Sequence, residues 1–178
     1  TELDKSHIYL DYINVMTYDM TDFHFTSHHT APYSSTKGGN YTAHSVKSSI
    51  DIFKAKGIPP EKIIVGAAFY SKKWSGITGG ENGLAAATEA PVAYGPGITA
   101  LEEEYINKNG FRRYWDETAC APYLYNGDTF ITYDDEESIK KKCELILEEN
   151  IGGIMVWELG GDRKQTLLPL MRKWLGNR

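Results

Sequence analysis

Hydrophobic residues in this chain form three short apolar runs, and each run leads directly into polar and aromatic residues. The runs lie in residues 11–20 (DYINVMTYDM), 62–71 (KIIVGAAFYS) and 152–162 (GGIMVWELGGD). Their length and β-branched content predict buried strands. Residues 42–56 and 136–150 instead carry apolar side chains at helical spacing. Alternation of strands and helices in this way predicts an α/β fold with a parallel sheet.

The ends of the predicted helices carry recognisable signals. Thr42 is the predicted N-cap of the first helix, which Gly57 and the following prolines end. Acidic residues open the helix over residues 136–150, where they favour the helix dipole. A third helix is predicted over residues 167–175, with Pro169 in its first turn, where proline is tolerated.

The alternation is interrupted between residues 71 and 135. This stretch contains a Gly-rich loop, a predicted helix over residues 99–108 and strand-like segments in FRRYWD, APYLYN and TFITYD. It therefore predicts a small α+β insert (residues 71–135) within a parallel α/β part made of residues 1–70 and 136–178. Three parallel strands are too few to close a barrel. An exposed sheet edge is expected, which favours self-association or docking on another chain.

Reactive side chains follow each of the three predicted strands. Tyr18 and Asp19 follow the first, Tyr70 ends the second, and Trp157 and Glu158 follow the third. The carboxyl ends of parallel strands meet at one rim, so these residues are expected to converge on a site. The long polar loop over residues 21–41 is expected to help shape that site.

Charge and composition argue against several classes of binding partner. A net charge of −5 argues against nucleic acid, and no apolar run is long enough to span a bilayer. Residues 1–10 lack a signal-peptide pattern.

His28 and His29 are adjacent and lack a third ligand at useful spacing, so neither a metal nor a cofactor is predicted. Twelve tyrosines and four tryptophans suit a sugar or protein surface.

Two further predictions concern side chains on and near the helix over residues 136–150. Cys143 falls on its apolar face and is predicted to be a core residue, and a disulfide with Cys120 has no support in the sequence. The lysine run over residues 140–142 is interpreted as the solvated face of the same helix.

Five ordered segments, MTYDM, GAAFYSKKW, WDETACAPYLYN, FITYDDEES and GGIMVWELGGD, resemble family 18 glycoside hydrolases, the chitinases. The resemblance implies the last three β/α units, strands 6 to 8, of an eight-stranded (β/α) TIM-type barrel. Residues 71–135 then resemble the chitinase insertion domain. The family's acid-bearing signature, D-x-x-D-x-D-x-E, does not occur in this sequence. The chain is therefore expected to be inactive alone and to complement an N-terminal part of the barrel.

The resemblance also implies a chemistry and a substrate. The substrate's own acetamido oxygen attacks the anomeric carbon, which is an exception to the two-carboxylate scheme. Tyr18 and Asp19 correspond to residues that hold that acetamido group. Chitin or N-acetylglucosamine oligosaccharides would be the ligand, and secretion is expected from the extracellular substrate.

The remaining site residues implied by the resemblance would bind sugar. Trp157 corresponds to the hydrophobic floor beside the scissile bond. Lys72 stands where the family has arginine, and lysine keeps the charge but lacks the planar donor fork of arginine. Trp74 and Trp115 suit either sugar stacking or packing of the insert. The full set of predicted substrate-binding residues is Met16, Tyr70, Lys72, Trp74, Trp115, Trp157 and Glu158. A non-catalytic lectin remains the main alternative to an enzyme.

Overall fold

Three parallel strands form the sheet that carries the predicted site. The computed structural model describes residues 2–37 and 44–176. Its strands β1 (Ile13–Val15), β2 (Ile63–Ala68) and β8 (Gly153–Trp157) pair in the order β1-β2-β8, all parallel. Within the described residues, β1 and β8 each have one unpaired side. The outer strands therefore leave two backbone edges open.

A second, antiparallel sheet follows β2 almost without a break. It contains β3 (Tyr70–Trp74), β4 (Ala93–Gly97), β5 (Arg112–Asp116), β6 (Ala121–Tyr125) and β7 (Phe130–Thr132), in the order β4-β3-β7-β6-β5. The sequence predicted β5, β6 and β7 but missed β3 and β4. In β4 the run AYGPG contains glycine and proline, which disfavour strands, and its place at the sheet edge is where proline is tolerated.

Four of the five described helices lie in regions where the sequence predicted a helix, with corrected ends, whereas the first helix, α1, was not predicted. They are α1 (Leu3–Ser6), α2 (Val46–Ala55), α3 (Ile98–Ala100), α4 (Glu136–Glu148) and α5 (Leu168–Leu175). Short 3-10 turns cover His7–Tyr9, Pro60–Lys62 and Leu159–Gly161. The predicted helix over residues 99–108 is wrong in its extent, because α3 passes into a single π-helical turn, Leu101–Tyr105.

The predicted N-cap of the first helix is corrected. Thr42 lies outside the described residues, and α2 instead begins after Ser45. The Ser45 side chain accepts the backbone N–H of Ser48, whose hydroxyl in turn accepts the Ser45 backbone N–H. This reciprocal capping box satisfies two backbone donors that the helix leaves unpaired. Asp135 and Ser138 form the same arrangement at the start of α4.

Two apolar clusters hold the helices against the parallel sheet. One joins α2 and α4 to β2 and includes Val46, Ile50, Ile63, Val65 and Ile146. The other joins α4 and α5 to the ends of β2 and β6 and includes Ala67, Phe69, Leu124, Ile139, Cys143 and Met171. The prediction that Cys143 is a core residue is confirmed, and Cys143 and Cys120 are both free thiols.

One surface prediction on α4 is wrong. Lys140 and Lys141 lie at the surface and pair with Glu144, but Lys142 is fully buried. The helical repeat explains the difference, because residue 142 falls beside the buried positions 139, 143 and 146. The lysine run therefore includes one inward-facing residue.

Over residues 2–37 and 44–176, the chain contains no helix that is both long enough and apolar enough to cross a membrane.

Candidate active site

A carboxylate with several donors lies just beyond the carboxyl end of β1. The hydroxyl of Tyr70 donates to Asp19 Oδ1 at 2.6 Å, and the ammonium nitrogen of Lys72 lies 3.1 Å from the same oxygen. Tyr94, on β4, places its hydroxyl 3.4 Å from Asp19 Oδ2. The second sheet thus supplies three donors to an aspartate that follows the first sheet.

His29 supports Asp19 from the interior of the protein. Its side chain is fully buried, with Nδ1 3.5 Å from the Asp19 backbone nitrogen and 3.8 Å from Oδ1. The backbone N–H of Met20 donates to the His29 carbonyl at 3.0 Å. Asp19 has a φ of 59°, in the left-handed region that non-glycine residues rarely adopt. Contacts on both sides of Asp19 hold this conformation.

The surroundings of Asp19 set the protonation states of the cluster. The pKa of the Asp19 carboxyl is lowered by His29 first, and then, against a partial burial effect, by Tyr70 and Lys72. Burial raises the pKa of Tyr70, and so does its hydrogen bond to Asp19. Burial and the Asp19 charge raise the pKa of Tyr18. Near neutral pH the site therefore presents a carboxylate beside protonated phenols.

Tyr18 crosses over β2 at a glycine. A Cβ atom on Gly66 would lie 2.6 Å from Tyr18 Cε1, so a side chain there would displace the tyrosine ring. The Thr17 hydroxyl donates to the Gly66 carbonyl at 2.7 Å and accepts the Gly66 N–H at 2.8 Å. In this way a side chain continues the β1–β2 ladder where the backbone of β1 turns away. Among the described residues, the Tyr18 hydroxyl has no hydrogen-bond partner.

Apolar side chains are exposed at the same end of the sheet. Trp157 ends β8, opposite Ala68 in register, and is 60% exposed. Met16 follows β1 and is 71% exposed. Glu158 is also exposed, and the peptide bond between Trp157 and Glu158 is cis. The strand ends thus bring Met16, Tyr18, Asp19, Tyr70 and Trp157 to one rim, as the topology predicted.

The polar loop that follows β1 is hydrogen-bonded to the segment that connects β3 and β4. Backbone hydrogen bonds link Thr26 to Ala85 and Ala86, and the Asp22 side chain accepts the backbone N–H groups of His24 and Phe25. His28 turns away from Asp19, and its Nε2 lies 3.2 Å from Asp116 Oδ2. The two adjacent histidines therefore face different carboxylates.

Two of the predicted sugar-binding tryptophans lie away from this rim. Trp74 is 2% exposed and packs among Ile77, Leu84, Tyr123 and Phe130, so a stacking role is wrong and the packing interpretation holds. Trp115 is half-buried on β5, the strand of the second sheet farthest from β4. Its indole N–H donates to Glu117 and its ring faces Arg113.

Lys72 is less open to a ligand than the sequence suggested. Its side chain is nearly buried, its ammonium pairs with Asp19, and its nitrogen lies 3.5 Å from the centre of the Tyr94 ring. Its role as a sugar contact stays a prediction. In this structure Lys72 acts mainly as the counter-charge of Asp19.

Replacing Trp74 by phenylalanine tests its assignment to the core. We expect the variant to lose about 1–2 kcal/mol of unfolding free energy, because removing buried ring atoms leaves a gap. Trp157→Phe is the matched control, since that ring is mostly exposed, and its stability should change by less than about 0.5 kcal/mol. Urea denaturation measures both. Equal stability of the two variants would contradict the assignment of Trp74 to the core.

The sequence alone did not identify two residues of the cluster around Asp19. Tyr94 stands in a Gly-Pro run with no strand pattern, and nothing in the local sequence separates it from other loop tyrosines. His29 was considered only as a metal ligand. The sequence showed only that His29 is a polar residue in the loop that follows the first strand. Its burial under Asp19 depends on contacts between distant parts of the chain.

Comparisons with known proteins agree on one family. The family model described as "Glycosyl hydrolases family 18" matches residues 1–162. Chitinase A1 of Niallia circulans is 35% identical over 94% of this chain, and chitinase B of Serratia marcescens is 28% identical over 87%. The chain spans only 26% and 41% of the length of those two relatives.

Solved structures give the same result. A family 18 N-acetylglucosaminidase from Paenibacillus barengoltzii is 44% identical, with a TM-score of 0.94 over 98% of this chain and 52% of its own. Chitinase ChiA74 from Bacillus thuringiensis is 32% identical, with a TM-score of 0.90 over 98% of this chain and 33% of its own. The mixed α/β fold described above is thus also found in solved members of this family.

Proposed function

The chain belongs to family 18 of the glycosyl hydrolases, and on that premise we propose that its complete protein hydrolyses β-1,4-linked N-acetylglucosamine in chitin or chitin oligosaccharides. One observation carries the proposal. An ionised Asp19, fixed by Tyr70 and Lys72, directly follows Tyr18 in the chain, and the Tyr18 hydroxyl has no partner among the described residues. The phenolic hydroxyl can bind the acetamido group of the substrate through a hydrogen bond. The carboxylate can stabilise the positive charge that this group acquires during the reaction.

The proposed reaction is retaining and substrate-assisted. The acetamido oxygen of the substrate attacks the anomeric carbon and displaces the leaving sugar, which gives an oxazolinium ion that water opens. In this scheme Tyr18 donates to the acetamido oxygen, and Asp19 stabilises the positive charge that develops on the amide. The exposed indole of Trp157 offers an apolar face for the sugar ring, and Met16 borders it.

The proton for the leaving sugar has to come from another part of the barrel. The D-x-x-D-x-D-x-E signature does not occur in this sequence, and we assign the acid to the preceding strands of the complete protein. In this arrangement residues 1–70 and 136–178 form the last three β/α units of the barrel, and residues 71–135 form its insertion domain. The parallel pairing of β1, β2 and β8 supports this assignment.

An apolar groove supports the proposal that more of the barrel covers this sheet. The groove has a volume of about 830 Å³, lies along β8 and α5, and is lined by Tyr12, Ile64, Met155, Leu168 and Leu175, among others. Open strand edges and exposed apolar surface favour association. We therefore propose that the isolated chain self-associates or pairs with the preceding barrel segment, and that the complete protein acts outside the cell on its polymer.

A direct assay tests the proposed function. The complete protein is incubated with chitin oligosaccharides of two to six sugars, and its products are separated by chromatography. Hydrolysis by the complete protein, with none by the isolated 178-residue chain, is the expected result. Release of single sugars only would identify exo-action, and a range of sizes endo-action. Binding without hydrolysis by the complete protein would favour the lectin alternative, because some acid-deficient barrels bind sugar without cleaving it.

A further inference from the structure

A buried ion pair lies behind the strand ends that carry the candidate site. Lys142, on α4, is fully buried, and its ammonium donates to Asp134 Oδ2 and, at 2.6 Å, to the hydroxyl of Thr30. Asp134 is also buried, and its other oxygen accepts the Ser138 hydroxyl at 2.7 Å. Burial lowers the pKa of Lys142, and the Asp134 charge opposes that change. The two residues form one hydrogen-bonded unit.

The ion pair contacts both strand ends of the site. The Thr30 hydroxyl, which accepts from Lys142, donates to the Thr17 carbonyl at 3.0 Å. Thr17 immediately precedes Tyr18. Asp134 Oδ2 lies 3.4 Å from the backbone nitrogen of Ala68, two residues before Tyr70. The same unit therefore touches the end of β1, which leads to Tyr18 and Asp19, and the end of β2, which leads to Tyr70.

The loop that supports Asp19 is tied to the same unit. His29 directly precedes Thr30 in the chain, and its buried ring lies 5.4 Å from the Tyr70 ring. The backbone N–H of His29 donates to the Thr132 hydroxyl at 3.2 Å on β7. A displacement of Thr30 would therefore move His29, and with it the contacts that hold Asp19 and Met20.

Stability alone does not account for a lysine at this position. Burying an ion pair costs desolvation energy, and well-packed apolar replacements are often neutral or stabilising. Three of the buried positions of α4 that neighbour Lys142 are apolar, namely Ile139, Cys143 and Ile146. An apolar residue at position 142 could fill the space. It could not fix the direction of the Thr30 hydroxyl or of the Asp134 carboxylate.

We propose that Lys142 and Asp134 are positioning residues, whose ion pair sets the relative placement of Tyr18, Asp19 and Tyr70. The inference rests on the proposed function for its catalytic consequence. Neither residue lies at the exposed rim, and both act through Thr30, Thr17 and Ala68. Misplacement of catalytic groups by about 1 Å can lower a rate on the order of a hundredfold.

The double variant Lys142→Met/Asp134→Leu, made in the complete protein, tests the proposal. A single change would leave one buried charge unpaired, which is strongly destabilising, whereas removing both charges leaves none. We expect a folded protein whose kcat falls on the order of tenfold to a hundredfold, with a much smaller change in KM. Lys141→Met is the matched control, because Lys141 is partly exposed on the same helix and its ammonium pairs with Glu144. It should retain the original kcat.

A second readout does not depend on catalysis. In the complete protein with ¹³C-labelled tyrosine rings, the NMR signals of Tyr18 and Tyr70 should shift in the double variant and stay unchanged in Lys141→Met. If the unmodified protein hydrolyses nothing, the proposed function fails, and the tyrosine signals still decide the positioning role. A folded double variant with unchanged kcat and unchanged tyrosine signals would overturn the inference.

A polar replacement covers the case in which the double variant fails to fold. Lys142→Gln/Asp134→Asn removes both charges while keeping donors and acceptors that can reach Thr30 and Ser138. We expect this variant to fold and to show smaller shifts of the Tyr18 and Tyr70 signals, with a loss of kcat below tenfold but above twofold. Tyrosine signals and kcat identical to those of the unmodified protein would overturn the proposal.

Discussion

Replacing Asp19 by asparagine in the complete protein should lower kcat by a factor on the order of 10²–10³, with a much smaller effect on KM. Asparagine keeps the size of the side chain and can still accept the Tyr70 hydrogen bond. It removes the negative charge that would face the developing cation, and it leaves Lys72 without its counter-charge. The loss should therefore appear mainly in the transition state.

The pH dependence of that loss separates two roles for Asp19. The pKa of its carboxyl is lowered, by His29 first and then by Tyr70 and Lys72, so the carboxylate stays charged from neutral pH down to its ordinary pKa of about 4 and below. A charge-stabilising role predicts that the ratio of unmodified to Asp19→Asn activity is constant between about pH 5 and 8. A proton-donating role would make that ratio fall as the pH rises.

Activity measured over this pH range tests the assignment. Asp51→Asn is the matched control, since Asp51 lies on α2 and pairs with Lys47 at the surface. It should leave kcat unchanged within about twofold, because exposed ion pairs contribute little. An Asp19→Asn variant with nearly unchanged kcat would remove Asp19 from the mechanism.

The sequence predicted those residues of the cluster around Asp19 whose positions follow from the strand topology. Asp19 and Tyr70 are more than fifty positions apart, and the rule that parallel strands present their carboxyl ends together was sufficient to place them at one rim. It could not supply Tyr94, because the antiparallel strand β4 carries no apolar alternation. That strand is defined by pairing with β3, which is a contact between distant residues.

Burial was the other feature that the sequence determined poorly. Trp74 and Trp157 are the same residue type near strand ends, yet one is in the core of the second sheet and the other is exposed. Lys142 lies in a run of three lysines, and only the helical phase distinguishes it from its neighbours. For the two tryptophans, neighbours in space decided which ring is buried, whereas for Lys142 the helical phase was the available signal. Spacing along the chain determined only the side of the element on which the residue lies.

The sharpest test between an enzyme and a lectin is Tyr18→Phe in the complete protein. Removing one hydroxyl preserves the ring that packs over Gly66 and against Tyr70, so the site should keep its shape. The pKa of Tyr18 is raised by burial first and by the Asp19 charge second, so the phenol is a protonated donor at working pH. An enzyme that uses this donor on the acetamido oxygen should lose kcat on the order of 10²–10³-fold.

The same variant gives a different result for a sugar-binding protein without catalysis. There the hydroxyl could contribute only to ground-state binding, so the dissociation constant for chitin oligosaccharides would rise, by about tenfold for one neutral hydrogen bond. Titration calorimetry measures that constant, and the oligosaccharide assay measures kcat. Tyr9→Phe is a suitable control, because Tyr9 is exposed in the 3-10 turn that precedes β1, at the end of the strand opposite the rim. A Tyr18→Phe protein that keeps its kcat would exclude Tyr18 from the proposed reaction, since the missing proton donor would then have cost the transition state nothing.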